Sequence, residues 1–294
     1  MIIQSISELQ PVPYRAIIIN VSTKEVSTLA VLSALRYSNC PILLIDLEST
    51  DGSLDHFEKL MASEPRLDIC SASRAKHGYI LDKIFRETKD QSILLIDSDL
   101  EIIDTTIVNR MIEAIEPPDV FGTGAIHGPE WMGSAHKMPD NLCLYQERMW
   151  IPFTMLKVAP IKDALERGYS FINRWVPNEL TSLPWLAKLL SLRFFLPVVK
   201  NIRAEFLRGT RRTYPYGQPN LLCCDTGAEL FCYLKYDRGS RFIDFGIDQI
   251  TKMSHHYHGV TRRLLKKSDH NATAMNEIMD EVLRRLKDGY GIEF

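Results

Sequence analysis

Residues 92–100 read Ser-Ile-Leu-Leu-Ile-Asp-Ser-Asp-Leu, an apolar run closed by two carboxylates one residue apart. A continuous run such as Ile93–Ile96 predicts a short strand buried on both faces. It delivers Asp97 and Asp99 onto the loop where the strand ends. Two carboxylates released there form a hard oxygen site for a divalent cation beside a phosphate-bearing ligand. Acidic triplets also recur on solvated turns, where they cap the next helix. The apolar run in front of this one sets it apart.

Working outward, the first 125 residues alternate strand and helix signals. Ala16–Ile19 predicts a buried strand, followed by a helix with Ser27 as its cap and Leu29, Leu32 and Leu35 on one face. Ile42–Ile45 predicts a second strand, closed by Asp46. Ser53 is expected to cap a helix that turns Leu54, Phe57, Leu60 and Met61 inward. Leu67–Cys70 reads as a third strand, and Ile80, Leu81, Ile84 and Phe85 mark a helix. Thr105 is expected to cap the helix displaying Ile107, Val108, Met111, Ile112 and Ile115, which Pro117-Pro118 stops. Apolar strands alternating with amphipathic helices predict an α/β fold, a mostly parallel sheet covered on both faces. Ligands of such sheets bind outside the carboxyl ends of the strands. Asp46, Asp97 and Asp99 all fall there.

With 294 residues, the chain is long enough for one large α/β domain. Its 35 basic and 37 acidic residues nearly cancel, which argues against general nucleic-acid affinity. The six cysteines, at 40, 70, 143, 223, 224 and 232, form no Cys-X-X-Cys pair. That pattern predicts a reducing compartment and no structural zinc. Met1–Arg15 lacks a basic start and an apolar run, so no signal peptide is expected. The near-apolar stretch 184–199 is broken by Lys188 and Arg193 and is too short to span a bilayer. Together these readings predict a cytoplasmic protein.

The rhythm breaks between residues 138 and 217, where Trp150, Trp175 and Trp185 accompany many prolines. Lys188, Arg193, Lys200, Arg203, Arg208, Arg211 and Arg212 stand there against Glu205. A helical subdomain with solvated basic heads explains this composition. So does a surface at 184–212 that meets anionic lipid at the inner face of a membrane, or a pyrophosphate-linked acceptor. The division expected is a first half to residue 137, this insert, and a closing half from residue 218. The last ends in an amphipathic helix carrying Met275, Ile278, Met279, Val282, Leu283 and Leu286 on one stripe.

Ile42-Leu-Leu-Ile-Asp46, followed by Glu48-Ser-Thr-Asp-Gly-Ser53, resembles the second-strand signature of family-2-like glycosyltransferases of the GT-A fold. Asp97-Ser98-Asp99 then follows in the expected order. The resemblance covers residues 14–125 well and the remainder loosely. It implies a metal-dependent transfer of a sugar from a nucleotide-sugar, a UDP-sugar, to an acceptor hydroxyl on a glycan or lipid-linked partner, with inversion. It also implies that Asn20, Val21, Ser22, Asp46 and Asp51 embrace the base and ribose. Ser49–Gly52 can equally be the turn that caps the next helix. By the same likeness Asp97 faces the ribose or the metal. Asp99 binds a Mn2+ or Mg2+ ion that bridges the two phosphates and assists the departing nucleoside diphosphate.

The remaining roles fall in the second half. Asp225, after the apolar run from Leu221, stands where related enzymes place the base that deprotonates the acceptor. The family's usual Glu-Asp pair is here Cys224-Asp225, and Asp225 would also serve as a helix cap. Glu229 and Asp244 are the substitutes, with Asp248 behind them. In His255-His256-Tyr257-His258-Gly259, His258 best fits a late histidine that completes the cation shell. A strand there would turn His256 and His258 to one face and His255 away. Arg262 and Arg263 suit either a diphosphate or a solvated helix start. His127 and Trp131 can line the acceptor cleft or pack on the surface. Gln146-Glu-Arg-Met-Trp150 has the wrong spacing for the motif of processive polysaccharide synthases. A sugar-phosphate nucleotidyltransferase would need a glycine-rich loop after the first strand, and Asn20–Glu25 has none. A non-catalytic binding subunit would not need Asp97 and Asp99.

Overall fold

The computed structural model describes residues 1–131, 143–177, 221–257, 260 and 272–294. The chain begins with β1 (Ile2–Ile3), β2 (Tyr14–Asn20), α1 (Lys24–Tyr37), β3 (Ile42–Asp46), α2 (Ser53–Ser63), β4 (Leu67–Ser71) and α3 (His77–Glu87). It continues through β5 (Ser92–Asp97), β6 (Leu100–Ile102), α4 (Thr105–Ile115) and β7 (Val120–Gly124). Short strands β8 (Ile126–His127), β9 (Glu130–Trp131), β10 (Cys143–Tyr145) and β11 (Arg148–Met149) precede β12 (Phe153–Lys157) and α5 (Val158–Glu166). The closing elements are β13 (Arg174–Pro177), β14 (Leu221–Cys224), α6 (Ala228–Cys232), β15 (Arg241–Asp244), α7 (Ile247–Met253), β16 (Ser254–His256) and α8 (Ala272–Tyr290).

Eight strands form the central sheet in the order β1-β4-β3-β2-β5-β12-β7-β15. Pairing is parallel from β1 to β5, and only β12 runs against its neighbours β5 and β7. This is the mostly parallel, helix-covered α/β sheet expected from the strand and helix rhythm. The period-two alternation of each strand feeds two cores. Ile17, Leu43, Ile45, Ile93 and Leu95 pack on one face with α3 and α5. Ala16, Ile18, Ile42, Leu44, Leu94 and Ile96 pack on the other with α1, α2 and α4. Each fully buried aliphatic side chain contributes roughly 1.5–3 kcal/mol of burial free energy.

Helix α1 is buried on two sides, which explains its small side chains. Ala30, Val31 and Ala34 meet the sheet. Val26 and Leu29 meet Val282 and Leu286 of α8. Of the stripe expected on α8, Leu283 is instead exposed.

Three helix starts differ from the sequence expectation. α1 begins at Lys24, and Ser27 is buried in its first turn, donating to Asn20 Oδ1 at 2.8 Å. Gly52, in the left-handed region, precedes α2, so Ser53 is its first residue and not its cap. Asp104 caps α4 by accepting from Thr106 N–H at 2.7 Å, where Thr105 had been expected to. In each case a neighbouring polar side chain satisfies the orphan donors sooner than the pattern of apolar residues suggests.

Candidate active site

The carboxyl ends of β2 and β5 open into a cleft of about 750 Å³. Its walls include Val21, Leu47, Arg74, His77, Asp97, Ser98, Asp99, Ile151, Pro152 and His256. Asp97 ends β5, and its N–H donates to Pro152 O at 2.9 Å, so antiparallel β12 fixes the strand end. Asp99 lies one residue before β6 and is buried.

β6 pairs with β16, setting His256 opposite Leu100. Tyr257 N–H donates to Asp99 O at 2.8 Å, extending that pairing. His256 Nε2 thereby comes within 3.1 Å of Asp99 Oδ1 and 4.0 Å of Asp97 Oδ2. Trp150 stands edge-on to the His256 ring at 5.5 Å between centroids. One ligand atom from each of Asp97, Asp99 and His256 falls within 4.8 Å of the others. Burial pushes the Asp97 carboxyl above the usual carboxylate range, opposed by His77 and His256 and reinforced by Asp99. Two carboxylates forced together beside an imidazole carry a charge that a divalent cation relieves. Oxygen donors with one imidazole suit Mn2+ or Mg2+. The residues present fit that ion.

The structure places His256 at this corner, whereas His258, the sequence's candidate for the cation shell, lies outside the described residues, as do Arg262 and Arg263. Arg74 and His77 were missed altogether. A signal existed: the loop after β4 leads into α3 through Arg74-Ala-Lys-His, and loops after parallel strands are where ligands bind.

Asn20 and Asp46 stand at the adjacent ends of β2 and β3. Both are buried, and they hydrogen-bond each other, Asn20 Nδ2 to Asp46 Oδ1, at 2.7 Å. Asn20 Oδ1 also accepts from Thr23 and Ser27 hydroxyls at 2.8 Å each, and Asp46 Oδ2 accepts from Ser49 N–H at 3.1 Å. Their polar atoms are engaged in knitting the loops after β2 and β3 together. Those loops hold Ser22 and Glu48 in the left-handed region, both at φ +50°, a strained conformation that settles where a site demands it. Asp51 reaches from the second loop to accept from Lys24 N–H at 2.9 Å, capping α1 from outside. Burial acts to raise the Asp51 carboxyl. The hydrogen bonds from Ser53 and Lys24 outweigh it and hold the group below its ordinary value.

A second polar cluster surrounds Asp225, three residues before α6. Arg148 Nε lies 3.4 Å from Asp225 Oδ2, and Arg148 Nη2 lies 2.8 Å from Glu130 Oε1. The Arg148 guanidinium covers the Tyr145 ring at 4.8 Å. His127 faces Arg148 across β8 and β11. Burial, with Arg148, pushes its pKa down against Glu130 and Asp225, favouring a neutral ring. The Asp225 side chain is 42% exposed, whereas that of Glu229 is 17% exposed and paired with Arg174. Asp244 is engaged at the end of β15, accepting from Gly246 N–H at 2.8 Å. The two clusters are joined by residues 148–152. Arg148 touches Asp225, Trp150 touches His256, and Ile151 and Pro152 line the cleft. The four residue-to-residue steps from 148 to 152 span at most about 14 Å.

The mostly parallel, helix-covered sheet is GT-A-like, with an acidic–histidine cluster at its strand ends. The chain belongs to glycosyl transferase family 2, whose sequence model matches residues 25–173, just over half its length. No curated protein sequence matches it. Among solved structures it is similar to the mannosyltransferase PcManGT from Pyrobaculum calidifontis in complex with GDP-Man and Mn2+. That likeness has 12% identity and a TM-score of 0.40, over 58% of this chain and 50% of that one. It is also similar to S. aureus TarS 1–349, at 15% identity and TM-score 0.37, over 51% and 48% of the two chains. A further likeness is to 4-diphosphocytidyl-2C-methyl-D-erythritol synthase from Anaerococcus prevotii, at 10% identity and TM-score 0.39, over 53% and 74%. The chain spans about half the length of the first two.

Proposed function

We propose that the protein transfers a sugar from a nucleoside-diphosphate sugar, a UDP-sugar, to an acceptor hydroxyl with inversion. The observation that carries this reading is the convergence of Asp97, Asp99 and His256 at the carboxyl end of β5, on the wall of a cleft large enough for a nucleotide. Asp97, Asp99 and His256 would hold the divalent cation, Mn2+ or Mg2+. When bound, that ion neutralises the charge growing on the diphosphate as it leaves.

The protein's own groups do the rest. Val21 and Leu47 offer the base an apolar wall, and the Asn20–Asp46–Ser49 network sets the loops that flank it. Arg74 and His77 stand on the cleft to meet phosphate oxygens. Asp225 accepts the acceptor's proton as its oxygen bonds to the anomeric carbon and the carbon–diphosphate bond breaks. Arg148 holds that carboxylate in place. Glu229 is already committed to Arg174 and serves the position less well.

A glycan or lipid-linked acceptor suits the exposed Asp225 side. The basic stretch 184–212 lies outside the described residues, and no helix among those described is long and apolar enough to cross a membrane. Liposome flotation with and without anionic lipid tests whether that stretch supplies a peripheral contact. The fold of the site is tested by thermal shift with a panel of nucleoside diphosphates. UDP is expected to raise the Tm with Mn2+ present and far less without it. A shift indifferent to Mn2+ would remove the cation from the scheme.

A further inference from the structure

The C-terminal helix reaches the acidic–histidine corner through an ion pair and through packing on Tyr257. β6 and β16 form a two-stranded ribbon outside the central sheet. A ribbon of two short strands is marginal by itself. On one side it is seated by Leu100 and Ile102, both buried in the core, and by Ile102 N–H, which donates to Ser33 Oγ of α1 at 3.0 Å.

On the other side stands Glu101, 2% exposed. Its carboxylate is met by one edge of a guanidinium in a bidentate fork: Arg285 Nη2 donates to Oε1 at 2.7 Å, and Arg285 Nε donates to Oε2. The Tyr257 hydroxyl donates to Oε2 at 3.4 Å. Arg285 belongs to α8, which Val282 and Leu286 dock against Val26 and Leu29 of α1 and against Tyr257. A carboxylate this buried is costly without its partner, so the ribbon and the helix hold each other in one arrangement.

What the ribbon carries gives this pair its meaning. Asp99 precedes β6 directly, His256 ends β16, and Tyr257, which touches Glu101, is the next residue. We infer that Glu101 and Arg285 are positioning residues for the cation site. By locking α8 onto the ribbon, they hold His256 Nε2 against the Asp99 carboxylate. Neither touches the ion. Partners behind metal ligands typically tune affinity by about 10–100-fold. The inference rests on the reading of Asp97, Asp99 and His256 as a cation site.

The test measures Mn2+ dissociation constants by electron paramagnetic resonance on the full-length chain, well below its Tm, with circular dichroism to establish folding. Arg285→Met is expected to weaken Mn2+ about tenfold. Arg285→Lys, which keeps the charge but loses the fork, should fall between it and the wild type. Glu101→Gln/Arg285→Met together should be no weaker than Arg285→Met alone, because both remove one interaction. A folded Arg285→Met that binds Mn2+ within about threefold of wild type overturns the inference, given the expected range. Should that variant not fold, Glu101→Gln decides by the same threshold. A wild-type chain that binds no Mn2+ overturns the reading of the site itself, a distinct result.

Discussion

The two halves of the molecule build their polar sites by opposite means. In the first, each functional group follows directly from a strand: Asp46 closes β3 and Asp97 closes β5. In the second, groups distant in sequence are brought together by short pairings, as β16 brings His256 to Asp99 across 157 positions. One half places its chemistry by local rule and the other by assembly. A strand end is robust, because the whole sheet holds it. A side chain placed by a two-strand ribbon depends on every contact that seats the ribbon.

That contrast can be broken most severely at the shared corner. On the proposed cation site, Asp99→Ala is expected to lower kcat/KM on the order of a thousandfold, since a metal ligand would account for several kcal/mol of transition-state stabilisation. The folded state should persist, because the strand before it remains buried. Steady-state turnover of a nucleotide-sugar in Mn2+ checks this, and unchanged turnover would remove the cation assignment.

Within the second half, Asp225→Asn, at the proposed general base, is expected to cost about a hundredfold or more in kcat. Glu229→Gln should lower stability more than it lowers kcat at a permissive temperature, because it breaks a largely buried ion pair with Arg174. The opposite ranking would exchange their roles. His256→Ala would remove one of the three proposed cation ligands, so it is expected to cost at least as much Mn2+ affinity as Arg285→Met, about tenfold or more, while kcat recovers towards wild type at saturating Mn2+.

The smallest effect belongs to the first half's loops. Asp51→Asn keeps an acceptor oxygen for Lys24 N–H and removes only the charge, so it should lower stability by about 0.3–1 kcal/mol near neutral pH, the scale of a carboxylate at an exposed helix N-terminus. The folded Asp51 carboxyl lies below its ordinary value of 3.8, so its contribution is fully present above that pH. It fades as pH falls through the lower, folded value. Thermal melts of the two proteins should therefore converge in acid. A gap that persists there would assign the stabilisation to something other than the charge.

The same contrast decides what could be read from the sequence. The strand preceding Asp97-Ser98-Asp99 and the parallel sheet were legible because buried strands and amphipathic helices repeat locally. Helix starts were misplaced where caps came from elsewhere in the chain, as with Asp51 and Lys24. Asn20 and Asp46 were legible as polar strand ends, but not as partners of each other. His256 was hidden because choosing between two histidines on one face requires the register of β16 on β6. No spacing within residues 254–258 encodes that register. Arg148 was visible only as part of a motif that did not fit, and its contact with Asp225 is a long-range fact.

Residues 148–152 tie the Asp225 cluster to the cleft with Trp150 at their centre, and this has a practical consequence. Anyone redesigning the enzyme to accept a new acceptor would naturally begin by mutating around Arg148. Trp150 touches the His256 ring from the same few peptides, so, on the proposed function, such libraries should perturb cation affinity alongside specificity. Screens run at several Mn2+ levels would separate the two, whereas a screen at one level would confuse them.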